Sequence, residues 1–262
     1  MVETNTMRET GYTITQGTGT VTERGNSVPY SGKLDDLSFH PCKEIIHQAL
    51  KDDAKKVMDG AAYTQFDATP LRVVPDSGTS TTAVTLTTNG TATLTNSVAF
   101  QREHVQLIVD LMKERNIPTY VNDDYYALSH PSTLRTLKND LESIYQYSEG
   151  GFQMIKNGEI GRYENTRFVE QTNIPKGGAA DSTTFDPETD TADAWDNALS
   201  SWVYFMGADT VAEGISIFEE MRGKIPGDFG RSKGIAYYAI NGFALVHTAA
   251  ADARIIKWDS AS

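Results

Sequence analysis

YVNDDYYALSHPSTLRTLKNDLESIYQYSEGGFQMIKNGEIGRYENTRFVEQTNIP, residues 120–175, is the stretch whose reading decides the fold. Residues 120–126 have the aromatic and β-branched composition of a short strand. His130, Pro131 and Ser132 open a helix, because the missing N–H of a proline costs little in a first turn. An amphipathic helix follows and gives way to the glycine pair Gly150 and Gly151. Asn157, Gly158, Glu159, Ile160 and Gly161 then form a turn ahead of a second strand over residues 166–170. The unit mixes helix and strand, and it carries no nucleophile motif, cofactor loop or metal cage.

Before this unit lie a polar arm and a long helix. Residues 1–32 are rich in threonine and glycine and poor in large apolar side chains. Tyr12, Thr13, Ile14 and Thr15, and then Gly19, Thr20, Val21 and Thr22, have strand-like composition. A two-stranded arm with so little apolar surface is not stable alone and must lie on something else or be disordered. Residues 37–66 read as one helix, with Ser38 as N-cap and Pro41 in the first turn. Its apolar positions Ile45, Ile46, Ala49, Leu50, Ala54, Val57, Met58 and Ala61 recur at three- and four-residue spacing. Residues 71–74 form a short strand. Residues 83–94 alternate apolar side chains with threonines around Asn89 and Gly90, a strong hairpin signal. Residues 98–115 form a second amphipathic helix, with Val105, Ile108, Val109 and Met112 on one face. It stops at Asn116 ahead of Pro118.

Behind the unit, residues 176–200 hold six acids against one lysine and read as a surface loop or insertion. Residues 202–206 are apolar, residues 214–218 fit strand or helix, and residues 223–234 make a glycine-rich turn. Residues 235–249 fit helix or strand, and residues 253–258 close the chain as a strand.

Composition narrows the function. The chain has 262 residues and a formal net charge of −12, enough length for one large domain or two lobes. So acidic a balance opposes tight sequence-independent binding to nucleic acid, which depends on Lys and Arg neutralising phosphates. The single cysteine, Cys42, leaves no intramolecular disulfide framework and fits a reducing compartment. The opening residues lack an apolar core for a signal peptide. No apolar run is long enough to span a bilayer as a helix.

Local matches to chemical motifs dissolve on inspection. His40, Cys42 and His47 supply fewer ligands than a closed zinc site needs. Asp228, Phe229 and Gly230 spell three letters of a kinase motif with none of its other parts. The carboxylates Asp123 and Asp124 fit a glycosidase only as those of any acidic protein would. The aromatic cluster Tyr120, Tyr125, Tyr126, Tyr145, Tyr147 and Phe152 is a core or an interface, with a sugar platform as the alternative. No cofactor is expected.

The order of elements across residues 120–175 resembles that of the major capsid proteins of tailed bacteriophages. Within that group it is most similar to the branch found in N4-like podoviruses, whose fold is HK97-like. The resemblance rests on the first strand, the His-Pro helix start, the Gly158-Glu159-Ile160-Gly161 turn and the strand that ends near Pro175. It extends to Gly207-Ala208-Asp209-Thr210-Val211, the glycine-rich turn and the closing Ala253-Arg254-Ile255-Ile256 segment. The chain before the arm, residues 1–10, is shorter than the family pattern.

The resemblance implies an α+β, HK97-like fold with an extended loop, a long spine helix, and peripheral and axial lobes. Residues 1–36 would form the arm and extended loop, and residues 37–100 the spine helix and peripheral lobe. Residues 101–202 would form the axial lobe, with residues 203–262 as strands completing both. It implies a non-enzymatic shell subunit made in the cytoplasm of a host bacterium and carried in the virion. Many copies would build hexamers and pentamers of an icosahedral shell around double-stranded DNA, without sequence-specific contact or membrane. A scaffolding protein and a portal would be its partners, with a decoration protein as an optional addition. The candidate interface residues are Tyr12, Thr13, Ile14, Thr15, Thr20, Val21, Thr22 and Tyr30, lying on a neighbour's sheet edge. An encapsulin-like compartment shell and a β-rich decoration or adhesin protein remain as alternatives.

Overall fold

The computed structural model describes residues 11–12, 17–75, 84–90, 98–145, 161–172, 174 and 201–260. Two sheets organise it. The first is antiparallel and runs β1 (Thr22–Ser31), β9 (Ser232–Leu245), β8 (Val211–Gly223). The second has the order β3 (Val84–Thr87), β2 (Leu71–Pro75), β10 (Ile255–Ser260), β7 (Ser201–Met206), β4 (Tyr125–Ser129), β6 (Thr166–Glu170), β5 (Arg162–Tyr163). Within it β10 pairs β2 in parallel and β4 pairs β6 in parallel, while the other neighbours are antiparallel.

Helix α2 (Cys42–Asp67) lies on the three-stranded sheet. Alternation along β9 explains the seam: Ile235 and Tyr237 meet Leu50 and Ala54, with Val28 and Tyr30 of β1 packed around them. Of the segment 235–249, residues 235–245 therefore resolve to strand, and the chain leaves the sheet after Leu245. Their two-residue period fits a sheet covered by one helix. The segment 214–218 is likewise strand, inside β8.

The helix expected over residues 37–66 starts only at Cys42, and a separate short helix precedes it. A six-residue α1 (Gly32–Leu37) is capped by Ser31, whose Oγ accepts from the Leu34 N–H at 3.2 Å. Ser38 is not an N-cap but ends α1, its N–H donating to Leu34 O. The Ser38 hydroxyl accepts from the His40 N–H at 3.2 Å, which diverts the backbone from helix. Pro41 holds His40 out of the helical region, so α2 starts only at Cys42. At 26 residues α2 is about 39 Å long.

Helices α3 (Arg102–Glu114) and α4 (Leu134–Tyr145) cover the seven-stranded sheet. The predicted face of α3 is buried as Val105, Ile108, Val109 and Met112, against Phe100, Phe205 and Trp258 among others. Burial of such side chains contributes about 2 kcal/mol each. Gln101 and His104 cap the helix start reciprocally. Asn116 closes its end in the left-handed region, φ 55°.

Strand and turn boundaries shift elsewhere. The strand expected at residues 120–126 runs instead over β4, because Asn122 and Asp123 adopt φ 52° and 60°. That tight turn is closed by Tyr120 N–H to Asp124 O and Asp124 N–H to Val121 O, each 3.0 Å. Pro131 and Ser132 lie in a turn, and α4 begins at Leu134, whose N–H donates to His130 O. The second strand falls on residues 166–170 as expected. Around Asn89 and Gly90, β3 pairs with β2, and the expected return arm lies outside the described residues, as does the loop 176–200.

Candidate functional site

One end of the three-stranded sheet gathers large apolar side chains that stay exposed among the described residues. Phe229 and Ile225 stand exposed on the β8–β9 hairpin tip, and Leu34, Leu37, Phe39 and Ile45 stand exposed beside it. The adjacency follows from the ladder. Ser31 at the end of β1 pairs with Ser232 at the start of β9, and the Gly32 N–H donates to Arg231 O at 2.8 Å. Lys233 Nζ to Asp35 at 2.8 Å fastens α1 to the same corner. The hairpin tip is built to project. Asp228, Phe229 and Gly230 hold φ of 50°, 55° and 88°. Two non-glycine residues in the left-handed region cost about 1 kcal/mol each. The turn is closed by Gly227 N–H to Ser232 O at 3.2 Å and Ser232 N–H to Gly227 O at 3.1 Å. A fully exposed phenylalanine on a strained turn makes this end the candidate contact surface, since contiguous exposed apolar patches are rare on isolated subunits.

A second feature fixes how the long helix meets the seven-stranded sheet. Lys257 of β10 is buried, and its Nζ lies 2.5 Å from Asp67 Oδ1 at the end of α2 and 3.7 Å from Asp259 Oδ2. Arg72 Nη1 donates to Asp259 Oδ2 at 2.8 Å, and Trp202 Nε1 donates to its other oxygen at 3.0 Å. The ammonium sits 3.7 Å from the Trp202 ring centre. Two cations face two carboxylates, so the cluster is neutral as a whole, the condition under which buried charge is tolerated. Burial pushes the Lys257 ammonium down, against the pull of Asp259 and Asp67. Burial raises the Asp67 carboxyl, but Lys257, then Arg72 and Tyr204, outweigh it and hold the group below its ordinary range. The Tyr204 hydroxyl donates to Asp67 at 3.0 Å and lies 3.2 Å from the Tyr63 hydroxyl. Burial first, then the neighbouring phenol or carboxylate, pushes both phenols up.

The arm residues singled out from sequence scatter. Tyr12 is exposed, and Thr13, Ile14 and Thr15 lie outside the described residues. Thr20 and Val21 are exposed and cross β9 at Gly242, where an added Cβ would stand 2.1 Å from the Thr20 carbonyl oxygen. Thr22 and Tyr30 belong to β1 and pair within the subunit, opposite Asn241 and Lys233, and Tyr30 packs on the α2 seam. Sequence reasoning passed over Ile225, Phe229, Leu37 and Phe39. The available signal was a phenylalanine inside a glycine-flanked turn between two long strands. Among the described residues no group of three or more His, Cys, Asp or Glu side chains converges as metal ligands would. No helix among them is long and apolar enough to cross a membrane.

Comparison with known proteins places this geometry. A family model described as phage capsid protein matches residues 46–255. The chain superposes on the capsid structure of the cyanophage P-SCSP1u with a TM-score of 0.63 at 12% identity, covering 100% of this chain and 81% of that one. Against the cyanophage Pam1 capsid the TM-score is 0.64 at 13% identity, covering 92% and 75%. Against the head of Helicobacter pylori bacteriophage KHP40 it is 0.63 at 12% identity, also covering 92% and 75%. At these identities the likeness speaks for the fold, which is the HK97-like one. No curated protein matches the chain.

Proposed function

The chain belongs to the phage capsid protein family as a major capsid protein, and from that premise we propose that its copies close into hexamers and pentamers of an icosahedral shell around double-stranded phage DNA. The observation that carries the reading is the uncovered apolar end formed by Phe229, Ile225, Leu37 and Phe39. A subunit bearing such a patch gains by burying it against further copies. Many modest contacts made at once become collectively strong. The role is structural, and the acidic balance of −12 suits a wall that encloses DNA without gripping it.

The finer assignments follow the same premise. Residues 1–36 serve as arm and extended loop, with Tyr12, Thr13, Ile14, Thr15, Thr20 and Val21 reaching a neighbour, and Thr22 and Tyr30 anchoring the loop's base. Helix α2 is the spine of a peripheral lobe over residues 37–100, residues 101–202 form the axial lobe, and residues 203–262 complete both. The order of motifs read in the sequence of residues 120–175 supports the N4-like branch as its place within the family. The protein is made in the host bacterial cytoplasm and assembles with a scaffolding protein and a portal, with a decoration protein as an optional addition.

Purified particles test this reading. They should contain this chain as their most abundant protein and double-stranded DNA that resists nuclease. Particles in which the chain is a trace component, or which never hold DNA, would overturn it.

A further inference from the structure

A cavity of about 550 Å³ opens between the two sheets. Phe66 of α2, Tyr120, Tyr126 of β4 and Phe243 of β9 wall it, and Asp209 and Glu213 stand at it. Its shape is set in advance. Tyr120 packs edge-to-face on Tyr126 at 5.4 Å between ring centres, and its backbone is tied to Asp124 by the turn described above. Beside it Gly207 permits a close approach, since an added Cβ there would stand 2.5 Å from both Ile117 and Pro118.

The two carboxylates differ. Asp209 is already paired, its Oδ2 3.0 Å from Arg254 Nη1. Glu213 is exposed, and its carboxylate has no hydrogen bond or ion pair among the described residues. Four aromatic rings beside an unanswered carboxylate are complementary to a cation that is flat and weakly hydrated. A guanidinium meets both conditions, stacking on rings while forking onto a carboxylate, whereas an ammonium is a compact and strongly hydrated charge. The volume falls in the range that accepts one large side chain with the backbone around it.

We propose that this pocket seats an arginine side chain presented by a neighbouring copy of the chain, with Glu213 as its counter-charge. The proposal rests on the capsid reading, because a closed shell is what brings a second copy to this face at high local concentration.

The test is a reconstruction of assembled shells by electron cryomicroscopy, alongside assembly of Glu213→Gln. The expected map shows an arginine of an adjacent copy between Tyr126 and Phe243 with its guanidinium on Glu213. Glu213→Gln lies on the surface and should melt as the wild type does, while its shell yield at limiting concentration falls by about tenfold, as loss of one charge-assisted contact implies. An empty pocket, a neutral or lysine side chain in it, a segment of a different protein in it, or a Glu213→Gln variant that assembles like the wild type would each overturn the proposal. If the wild type forms no shells under any condition, the capsid reading itself fails and this inference falls with it.

Discussion

Lys257 Nζ lies 2.5 Å from Asp67 Oδ1, so the last residue of the long helix is tied to the strand at the heart of the seven-stranded sheet. The contact joins the two halves of the fold through charge rather than through packing alone. It makes that joint sensitive to single substitutions.

Replacing Lys257 by Met should destabilise the subunit by about 3 kcal/mol, because Asp67 and Asp259 then face Arg72 with one cation too few. Adding Asp67→Asn to the same chain should recover part of the loss by restoring neutrality. Urea unfolding of the unassembled subunit measures both. Equal stability of Lys257→Met and wild type would mean that the cluster does not hold the joint together.

The same joint sets an acid limit. The folded Asp67 carboxyl titrates below its ordinary 3.8, held there against burial by Lys257 and Arg72. In the window beneath that value the unfolded chain binds the proton first, so stability rises with pH. The contribution is complete above about pH 3.8 and is lost as pH falls through the lower folded value. Asp67→Asn should flatten this acid slope. At the alkaline end Tyr63 and Tyr204 titrate above their ordinary 10.0, so the unfolded chain ionises first and stability falls as pH rises past it. Melting temperatures across pH, with Tyr204→Phe and Asp67→Asn beside the wild type, check both signs.

At the hairpin tip, stability and assembly should separate. Phe229→Gly relieves a left-handed phenylalanine and removes a fully exposed ring. Subunit stability should hold or rise by about 1 kcal/mol, since strain is released and glycine's extra chain entropy offsets part of it. Shell formation should fail. Calorimetry of the subunit and sedimentation of assembly mixtures give the two readouts, and normal shells from this variant would clear the tip of any role.

Much of the fold was legible because periodicity carries it. The α3 stripe Val105, Ile108, Val109 and Met112 and the strand over residues 166–170 fall where the pattern puts them. The break at Ser38 and Pro41 was readable too, but the apolar spacing on either side of it runs on without a gap. Residues 235–249 were ambiguous because IAYYAINGF suits both helix and strand until β1 and β8 supply the neighbours. The contact end was illegible for a different reason. The pair Leu37 and Phe39 is far in sequence from the pair Ile225 and Phe229, and the Ser31–Ser232 pairing with its neighbouring ties brings them to one corner. Nor does any local pattern announce that Lys257, two residues before Asp259 in an apolar strand, will find Asp67.

The arm's path can be probed at Gly242. Alanine there would place a Cβ 2.1 Å from the Thr20 carbonyl, so the segment around Thr20 must lift off β9. The sheet itself should hold, since β1 begins only at Thr22. Limited proteolysis should then cut before Thr22 faster in Gly242→Ala than in the wild type, with a melting temperature close to unchanged. An unaltered cleavage rate would mean that the crossing does not restrain the arm.

Whether this chain builds a shell with copies of itself is decided by electron microscopy of the purified protein, alone and with the products of its neighbouring genes. Uniform closed shells or capsomer-sized rings are expected. A protein that remains monomeric in every mixture would contradict the capsid reading.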